Sequence, residues 1–475
     1  MDFTKINFGR ADAHTEGENF PELLNEGYLN ISSVAEKAID NSTFLFLGYK
    51  GSGKSSLSEH LRLRSTSVIV DQQQLKDFPF KQFDKILQAE DRIIKYKKLW
   101  RWILFVKVFA NLYHDSSAVI KADDDISKLI NIFTQEGIFP LINISSLVNK
   151  SVKDTIALSL NHLNISREQA YDNINVDIEL LTDYLKNLLH VFKESHPHVL
   201  IIDDLDDILS PNGVQFSVLS ALINEVKDIN RFFNLSFIPF KIIVLCRTDM
   251  FERLPDPNKN KIKQDHSFTW YREGLNKSED SDLVGLVNLR AKLVYPEIKD
   301  IFTTFFPKTY MDKKTCRSLL EFTRHTPRDF IQLINHIQSQ CHENTIKVTS
   351  LEISNGIKYY STEYFKQEIA DEMAGYLSRK VIEGVFNVLS AIRSREFKLY
   401  DFIDCCKNIK ELDDADVYEI MRVLYDCSAI GHTYSYNGGK TYRVTFKYRN
   451  RSSSFVPKDR IILHKGLWKA LNVNY

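Results

Sequence analysis

The sequence predicts an α/β protein in which helices cover both faces of a parallel sheet, and three apolar runs carry that prediction. Residues 43–47, 199–202 and 241–246 are short and uniformly hydrophobic, as expected of strands buried on both faces. Long amphipathic segments separate the runs, and this alternation of strand and helix builds a parallel sheet. A further short strand is expected at residues 67–71.

The chain is long enough for two or three domains, since 475 residues exceed the size of an ordinary single domain. We expect an N-terminal segment over residues 1–40, a core over 41–275, a helical lid over 276–378 and a separate C-terminal domain over 379–475. Within the core, residues 73–195 have a mostly helical pattern and few glycines, which predicts a large helical insertion.

The C-terminal domain has the pattern of a winged helix. Three helices and two alternating strands are predicted there, at residues 383–392, 399–406, 415–425, 432–436 and 440–446. Asn437 and Gly438 lie between the two strands, and Asn-Gly is typical of a type I′ hairpin turn because both positions need positive φ. Three helices followed by a hairpin predict the winged-helix arrangement.

Composition limits the classes of function. The 62 basic and 62 acidic side chains balance, so no overall field attracts nucleic acid or anionic lipid.

The apolar run 99–109 is short and carries Arg101 and Lys107, which predicts a buried helix and no membrane span. The six cysteines have neither C-x-x-C nor metal-ligand spacing, and the vicinal pair Cys405-Cys406 is either redox-active or two ordinary helix positions. We expect a cytoplasmic protein.

A phosphate-binding pattern, G-x-x-x-x-G-K-[ST], follows the first predicted strand and leads into a helix that Ser56 opens. The matching residues are Gly48, Tyr49, Lys50, Gly51, Ser52, Gly53, Lys54 and Ser55. Glycines in such a loop let backbone N–H groups surround an anion at a helix N-terminus. Lys54 is expected to reach the β- and γ-phosphates, and the Ser55 hydroxyl to bind Mg²⁺. The pattern therefore predicts a P-loop NTPase.

Acidic and basic residues at the ends of later strands complete the predicted site. Asp203 ends an apolar strand, where P-loop enzymes place the carboxylate that holds magnesium. Asp204 is the first candidate for the general base and Asp206 the second. Arg247 ends the next strand, where it either contacts the γ-phosphate or pairs with the acidic loop. Arg328, near the start of a helix, is expected to approach the phosphates as the lid closes.

Two missing motifs narrow the nucleotide and the subclass. The guanine-specific pattern [NT]-K-x-D is absent, because the nearest match, at residues 276–279, ends in glutamate. A signature of the L-S-G-G-Q type is also absent from the sequence, which disfavours an ABC-type dimer. ATP is therefore the expected nucleotide.

On the phosphate loop, the acidic run 203–206 and the strand ending in Arg247, the chain resembles the additional-strand P-loop ATPases. It is most similar to the KAP and STAND groups, which are related to AAA+ and Orc-type NTPases. More narrowly, it resembles a bacterial P-loop ATPase family often encoded near phage-defence genes. The resemblance extends to residues 8–13, 247–254 and 326–330. It implies a sheet, a helical lid, a winged helix and ATP acting as a conformational switch.

Two further expectations follow from the resemblance. AAA+ proteins usually place glutamate after the magnesium aspartate, so the shorter Asp204 implies slow turnover. Active members usually complete their site with an arginine from a neighbouring subunit, which implies a homo-oligomer. Arg253, Lys261 and Arg290 are the candidates for that role.

Three functions remain open at this point. The first is a Mg²⁺-dependent ATPase that switches an effector protein, such as a nuclease or reverse-transcriptase complex, in anti-phage defence. The second is a DNA-dependent ATPase, a loader or remodeller, that uses the winged helix. The third is a nucleotide-binding scaffold without turnover. Nucleic acid is not favoured, because the third helix of the wing and its approach carry six acids against one arginine: Glu411, Asp413, Asp414, Asp416, Glu419 and Asp426 against Arg422.

Overall fold

The structure is a computed structural model whose described residues form two compact units. It describes residues 1–40, 43–64, 67–76, 78–86, 92–115, 124–135, 137–139, 143–149, 174–192, 195–205, 214–256, 259–262, 266–272, 278–413, 415–436 and 441–473. The sheet unit comprises Ser32–Tyr49 and Leu57–Phe268. The helical unit comprises Met1–Ile31, Lys50–Ser56 and Thr269–Tyr475, so most of the phosphate loop groups with the C-terminal half of the chain.

The helices have the following bounds in chain order: α1 Ala13–Asn19, α2 Pro21–Asn25, α3 Val34–Asp40, α4 Lys54–Arg64, α5 Phe80–Ile86, α6 Arg92–His114, α7 Asp124–Gln135, α8 Ile144–Asn149, α9 Ile174–Leu188, α10 Val214–Ser236, α11 Thr248–Glu252, α12 Lys259–Ile262, α13 Asp282–Val294, α14 Ile301–Phe305, α15 Thr315–Leu320, α16 Pro327–Gln338, α17 Ser350–Tyr359, α18 Lys366–Ala374, α19 Arg379–Ile392, α20 Leu399–Cys406 and α21 Val417–Asp426. Short 3₁₀ turns occur at Phe3–Lys5, Ile31–Ser33, Leu189–Phe192, Ser278–Asp280, Lys410–Leu412 and Lys465–Leu467.

The sheet unit is built on five parallel strands in the order β2-β3-β4-β1-β5. Their bounds are β1 Leu45–Gly48, β2 Ile69–Gln74, β3 His198–Asp203, β4 Phe240–Arg247 and β5 His266–Ser267. Every residue of β1 and β3 is buried, as expected of central strands covered on both faces. The predicted parallel sheet is therefore confirmed.

The helical insertion packs through large aromatic side chains. Trp100 and Trp102 on α6 are each 1% exposed, and the Trp100 indole donates to the Val218 carbonyl on α10 over 3.0 Å. Arg101 on the rim of α6 pairs with the buried Glu225 at 2.8 Å. The apolar run 99–109 is thus part of a helix that packs in the core. Among the described residues, no helix is both long and apolar enough to cross a membrane.

The C-terminal region of the helical unit contains the predicted helices and strands. Helices α19, α20 and α21 occur together with an antiparallel sheet in the order β10-β9-β11-β8, in which β8 follows α19 and the other three strands follow α21. Its strands are β8 Glu396–Phe397, β9 Ile430–Tyr436, β10 Thr441–Thr445 and β11 Arg460–Leu463. The predicted Asn437-Gly438 turn lies outside the described residues. A small hairpin of β6 Thr309–Tyr310 and β7 Lys313–Lys314 precedes α15.

A π-helical turn over Tyr360–Phe365 joins α17 to α18 without a break. Its Ser361 hydroxyl donates to the Gly466 carbonyl over 2.6 Å and accepts the Ala470 N–H over 3.0 Å. These bonds fasten the turn to the last segment of the described chain. Such turns often mark functional positions.

All six cysteines are free thiols. Burial, helped by the neighbouring Cys405, raises the pKa of Cys406 to about 11. A thiol with so high a pKa is rarely ionised and makes a poor nucleophile. Cys406 therefore has the chemistry of an ordinary helix position.

Candidate phosphate-binding site

The carboxyl ends of three neighbouring strands meet at one edge of the sheet. Gly48, the last residue of β1, is the register partner of Arg247, the last residue of β4. On the other side of β4, Ile202 of β3 pairs with Val244, so Asp203 ends its strand along the same edge. Asp203 and Arg247 are 4% and 5% exposed. Ligands of open parallel sheets bind at such an edge.

The phosphate loop has the backbone of an anion-binding cradle. Gly51 and Gly53 have φ of +75° and +94°, a region that other residues rarely adopt. A methyl group added at Gly51 would lie 2.9 Å from Cβ of Arg328, so glycine is also required there by close packing. A methyl group added at Gly53 would have no described atom within 4 Å. The alternating conformation is the one that directs backbone N–H groups towards an oxyanion, and it fits a polyphosphate.

Two hydrogen bonds within the helical unit hold the carbonyl groups of this loop. The Arg328 N–H, near the start of α16, donates to the Gly51 carbonyl over 3.3 Å. The first N–H groups of a helix have no partner inside it, so the loop satisfies one of them. The Trp270 indole donates to the Ser52 carbonyl over 2.8 Å. The Ser52 hydroxyl itself is buried and has no hydrogen-bond partner among the described residues.

A carboxylate on α18 bonds one cation of the loop, Lys50, and one cation of α16, Arg328. Glu368 lies 3.5 Å from the Lys50 ammonium and 3.2 Å from the Arg328 guanidinium. Asp371, one turn further on, lies 3.8 Å from Lys50. Burial opposes the charge of Arg328, but the nearby Glu368 outweighs it and raises the pKa of this guanidinium. Lys50 and Arg328 therefore share one carboxylate as ion-pair partner.

A second, fully buried ion pair supports the start of α16. Arg324 donates to both carboxylate oxygens of Asp329, over 2.9 and 3.0 Å, and to Glu372 over 2.5 Å. Tyr364 of the π-helical turn donates to Asp329 over 3.0 Å. Burial opposes both charges, yet their attraction raises the pKa of Arg324 and lowers that of Asp329. This network links α16 to the π-helical turn and α18.

Asp204, the predicted base, has an unusual backbone. Its φ of +54° lies in the left-handed region, which aspartate tolerates better than most residues but still adopts rarely. Such conformations concentrate at functional sites. Asp206, the second candidate, lies outside the described residues. Arg247 bonds Asp249 over 3.1 and 2.7 Å, so the carboxylate two residues further along the chain is one of its ion-pair partners.

The structure thus places the predicted residues in two groups. Gly48, Tyr49, Asp203, Asp204 and Arg247 belong to the sheet unit. The remaining predicted residues belong to the helical unit, namely Lys50, Gly51, Ser52, Gly53, Lys54, Ser55, Ser56 and Arg328.

One candidate for a contribution to a neighbouring subunit does not fit the structure. Arg290 is 4% exposed and bonds Glu16 of its own chain over 2.6 Å. It also donates to the Phe8 carbonyl over 2.5 Å. A buried guanidinium with these partners holds the N-terminal segment to α13 and is not available to another subunit.

Sequence reasoning missed Glu368, Asp371 and the position of the Trp270 indole. The carboxylates belong to a helix whose acidic residues look like an ordinary solvated face. Their contacts with Lys50 span more than 300 residues of sequence, and a local pattern carries no trace of them. The bond from Trp270 to the phosphate loop joins residues 218 apart in sequence, so it could not be predicted from the sequence.

Comparison with known proteins gives two findings. A family model described as the FunZ-associated C-terminal helical domain matches residues 281–367. Among solved structures, the chain is similar to the Orc1 protein of Aeropyrum pernix in complex with DNA, with 10% identity and a TM-score of 0.38 over 95% of this chain and 94% of that one. No curated protein sequence matches the chain.

Proposed function

We propose that the protein is a Mg²⁺-dependent ATPase that acts as a conformational switch and regulates a partner protein. The observation that carries the proposal is the phosphate loop. Its motif lies between a buried parallel strand and a helix, and Gly51 and Gly53 have the backbone that an oxyanion cradle requires. The absence of a guanine motif from the sequence favours ATP.

In this proposal, different residues of the chain bind the phosphates and the Mg²⁺ ion. Lys54 and the backbone N–H groups of the loop bind the β- and γ-phosphates. Ser55 and Asp203 hold Mg²⁺, which supplies charge neutralisation on the phosphates when it is bound. In this proposal residues 276–378 act as a lid and residues 379–475 as a winged helix.

Hydrolysis requires a base and cations near the transferred phosphoryl group. Asp204 accepts the proton of the attacking water in this proposal, with Asp206 as the alternative. Arg247 and Arg328 stabilise the developing negative charge. The aspartate at position 204 reaches less far than a glutamate, which is consistent with a slow switch.

Glu368 gives the switch a physical basis. The Lys50 and Arg328 side chains are cations beside the phosphate loop, and both are bonded to this carboxylate. Phosphates in the loop would compete with Glu368 for them, because oxyanions of either kind satisfy the same donors. Nucleotide binding therefore favours an arrangement in which α18 is released from the loop cations. The size of this shift is set by how much more tightly the nucleotide binds the released arrangement than the bonded one.

The first test is steady-state phosphate release by the parent and two variants. We expect Lys54→Ala to abolish ATP binding and turnover, since it removes the ammonium that binds the β- and γ-phosphates in this proposal. We expect Asp204→Asn to keep nucleotide binding and to slow turnover by about a hundredfold, because asparagine tolerates the left-handed backbone but accepts no proton.

Lys358→Ala, which removes an exposed lysine of α17, is the matched control and should behave like the parent. Equal rates in the parent and Lys54→Ala would refute the ATPase proposal. Binding without any turnover in the parent would instead favour the scaffold.

The partner in this proposal is an effector protein in anti-phage defence, a nuclease or reverse-transcriptase complex, and the ATPase is a homo-oligomer. Several basic residues that a DNA-binding wing would use are engaged internally. Lys447 donates to the Ser453 carbonyl over 2.9 Å, and Arg460 pairs with Glu396 at 3.1 Å. Protein recognition is therefore preferred over DNA.

A co-purification test separates these alternatives. The products of genes adjacent to this one should be retained by the tagged chain, and the amount retained should differ between ATP and ADP. Salt-sensitive stimulation of phosphate release by duplex DNA, with no retained protein, would favour the DNA-dependent ATPase.

A further inference from the structure

A second pocket lies within the helical unit and is lined by none of the phosphate-loop residues. Its volume of about 470 Å³ falls in the range of about 300–1,000 Å³ that is usual for small-molecule sites. The segment Trp270–Arg272 forms one wall, the β7–α15 region a second, and Arg449 a third. Nothing in the function proposed above uses this pocket.

The pocket is strongly basic. Five basic side chains line it against the two carboxylates of Asp312 and Glu321, and the five are Arg272, Lys313, Lys314, Arg317 and Arg449. Glu321 is already bonded to Lys313 at 2.6 Å and to Lys465 at 3.1 Å. Arg317 forms no ion pair with any residue that the structure describes. The excess of three positive charges in the lining favours an anionic occupant.

Aromatic rings complete the lining. Trp270, Tyr271 and His325 line the pocket together with Arg449. The Arg449 guanidinium lies over the Tyr271 ring at 5.7 Å, and Tyr271 meets the His325 ring edge to face at 5.1 Å. Burial, together with the Arg449 charge, lowers the pKa of His325 to about 3, so its ring is neutral at physiological pH. Flat rings beside guanidinium groups are the surface on which nucleobases stack.

One residue that lines this pocket bonds directly to the phosphate loop, and a second directly precedes the helix cap of α16, whose first turn bonds the loop. The Trp270 indole faces the pocket and donates to the Ser52 carbonyl over 2.8 Å. His325 precedes Thr326, whose hydroxyl accepts the Asp329 N–H and so caps α16. The next residues of α16 include Arg328, whose N–H donates to the Gly51 carbonyl. A ligand that moves the Trp270 indole therefore acts on the loop through one hydrogen bond, and a ligand that moves His325 acts on it through the start of α16.

We propose that this basic, aromatic pocket binds a nucleoside monophosphate, and that its occupancy changes the affinity of the phosphate loop for ATP. The cations at Lys314, Arg317 and Arg449 take the phosphate, and the rings of Trp270 and Tyr271 take the base. Because coupling between two binding sites is reciprocal, ATP in the loop changes the affinity for the monophosphate by the same factor.

Calorimetric titration of AMP into the full chain tests the site. The chain carries Lys54→Ala, so that the phosphate loop contributes little binding and the result does not depend on ATPase activity. We expect Lys314→Glu combined with Arg317→Glu to weaken AMP binding by about tenfold or more, since two charge-assisted contacts become repulsive. Both side chains are exposed, so the variant should fold like its parent.

The matched control is Arg379→Glu, which reverses an equally exposed charge on α19, away from the pocket. It should leave AMP binding unchanged. Inorganic phosphate and adenosine, titrated separately, should each bind more weakly than AMP. The proposal is overturned if AMP does not bind, if the double variant binds it as tightly as its parent, or if phosphate alone binds equally well.

Trp270→Phe tests the coupling in the chain with an intact phosphate loop. Phenylalanine keeps an aromatic wall but removes the donor to Ser52. In the parent, saturating AMP should change the affinity for a fluorescent ADP analogue severalfold. In Trp270→Phe, AMP should still bind and that change should disappear. A coupling that persists unaltered in the variant would contradict the role of the indole. A parent that binds AMP but no ADP analogue would count against the ATPase and leave the pocket standing.

Discussion

Glu368 is the side chain on which the proposed switch depends most directly. It is 10% exposed and bonds both Lys50 and Arg328, so its charge is compensated only while those cations remain close. Separating a buried carboxylate from its partners is costly. The contact therefore stabilises the arrangement in which the loop cations face α18, and a nucleotide must overcome that stabilisation.

Replacing this carboxylate should tighten nucleotide binding. In Glu368→Gln the loop cations lose their charged partner, and phosphates no longer compete with it. We expect the dissociation constant for ADP to fall by about threefold to tenfold, because the competent arrangement is more populated before binding. Fluorescence titration with an ADP analogue measures this change directly.

Glu363→Gln is the control, since Glu363 is an exposed glutamate of the neighbouring π-helical turn. Its affinity should equal that of the parent. Weaker binding in Glu368→Gln would show that the carboxylate assists the nucleotide, which is the opposite of the proposed competition.

Helix α16 is held in place by its own buried ion pair. Asp329 is fully buried and receives two bonds from the Arg324 side chain and one from Tyr364. Its Thr326 cap and its Arg328 N–H lie at the same end of the helix, next to the phosphate loop. The pair therefore fixes the position of the end that contacts the loop.

Asp329→Asn should destabilise the helical unit severely. It leaves the buried Arg324 charge with Glu372 as its remaining carboxylate, and loss of one partner of a buried pair costs about 3–5 kcal/mol. Urea unfolding followed by far-UV circular dichroism should show an earlier transition. Glu383→Gln, which removes an exposed partner of Arg379 on α19, should leave the transition in place. An unchanged midpoint in Asp329→Asn would contradict the structural role of the pair.

The elements that sequence predicts well are those whose own residues show a clear local pattern. The strands β1, β3 and β4 are apolar on both faces, so their composition alone identifies them. The helices α19 to α21 follow an amphipathic period and lie where that period predicts. The phosphate loop is equally predictable, because its backbone conformation demands glycine at fixed positions.

The parts that sequence could not supply are polar contacts whose partners are decided by packing. In the 323–330 segment both Arg324 and Arg328 are arginines near a helix start, and the pattern does not say that the first is buried against Asp329. The pocket beside Trp270 combines segments separated by more than a hundred residues, each unremarkable in composition. Charge pairing depends on which faces meet, and that is decided by packing.

At the scale of the whole chain, the boundary between the two compact units lies within the phosphate loop, between Tyr49 and Lys50. Residues Lys50–Ser56 group with the helical unit, whereas the strand that leads into them groups with the sheet unit. The loop carbonyls are held by Trp270 and α16, both from the far C-terminal half. Stability of the helical unit therefore affects the loop even though no strand of the central sheet belongs to it.

Acid should weaken the helical unit through its buried histidines. His464 is 1% exposed, and its Nδ1 accepts the Gly466 N–H over 3.0 Å, which requires the neutral ring. Burial, together with the Arg324 charge, lowers the pKa of His464 to about 3, and the pKa of His325 is lowered to the same value. Imidazole in the unfolded chain titrates near pH 6.5. Below that pH the unfolded chain binds protons that the folded chain excludes.

The free energy of unfolding should therefore fall as the pH is lowered, by about 2 kcal/mol for each histidine between about pH 7 and pH 5. Urea unfolding at a series of pH values measures the slope. His464→Asn is the informative variant, because an amide oxygen can accept the Gly466 N–H but does not titrate, so the slope should become shallower by the contribution of this one histidine. A free energy of unfolding that does not change with pH in the parent, or that changes equally in the parent and in His464→Asn, would contradict this prediction. His464 would then be protonated inside the fold, and its Nδ1–H would face the Gly466 N–H instead of accepting it.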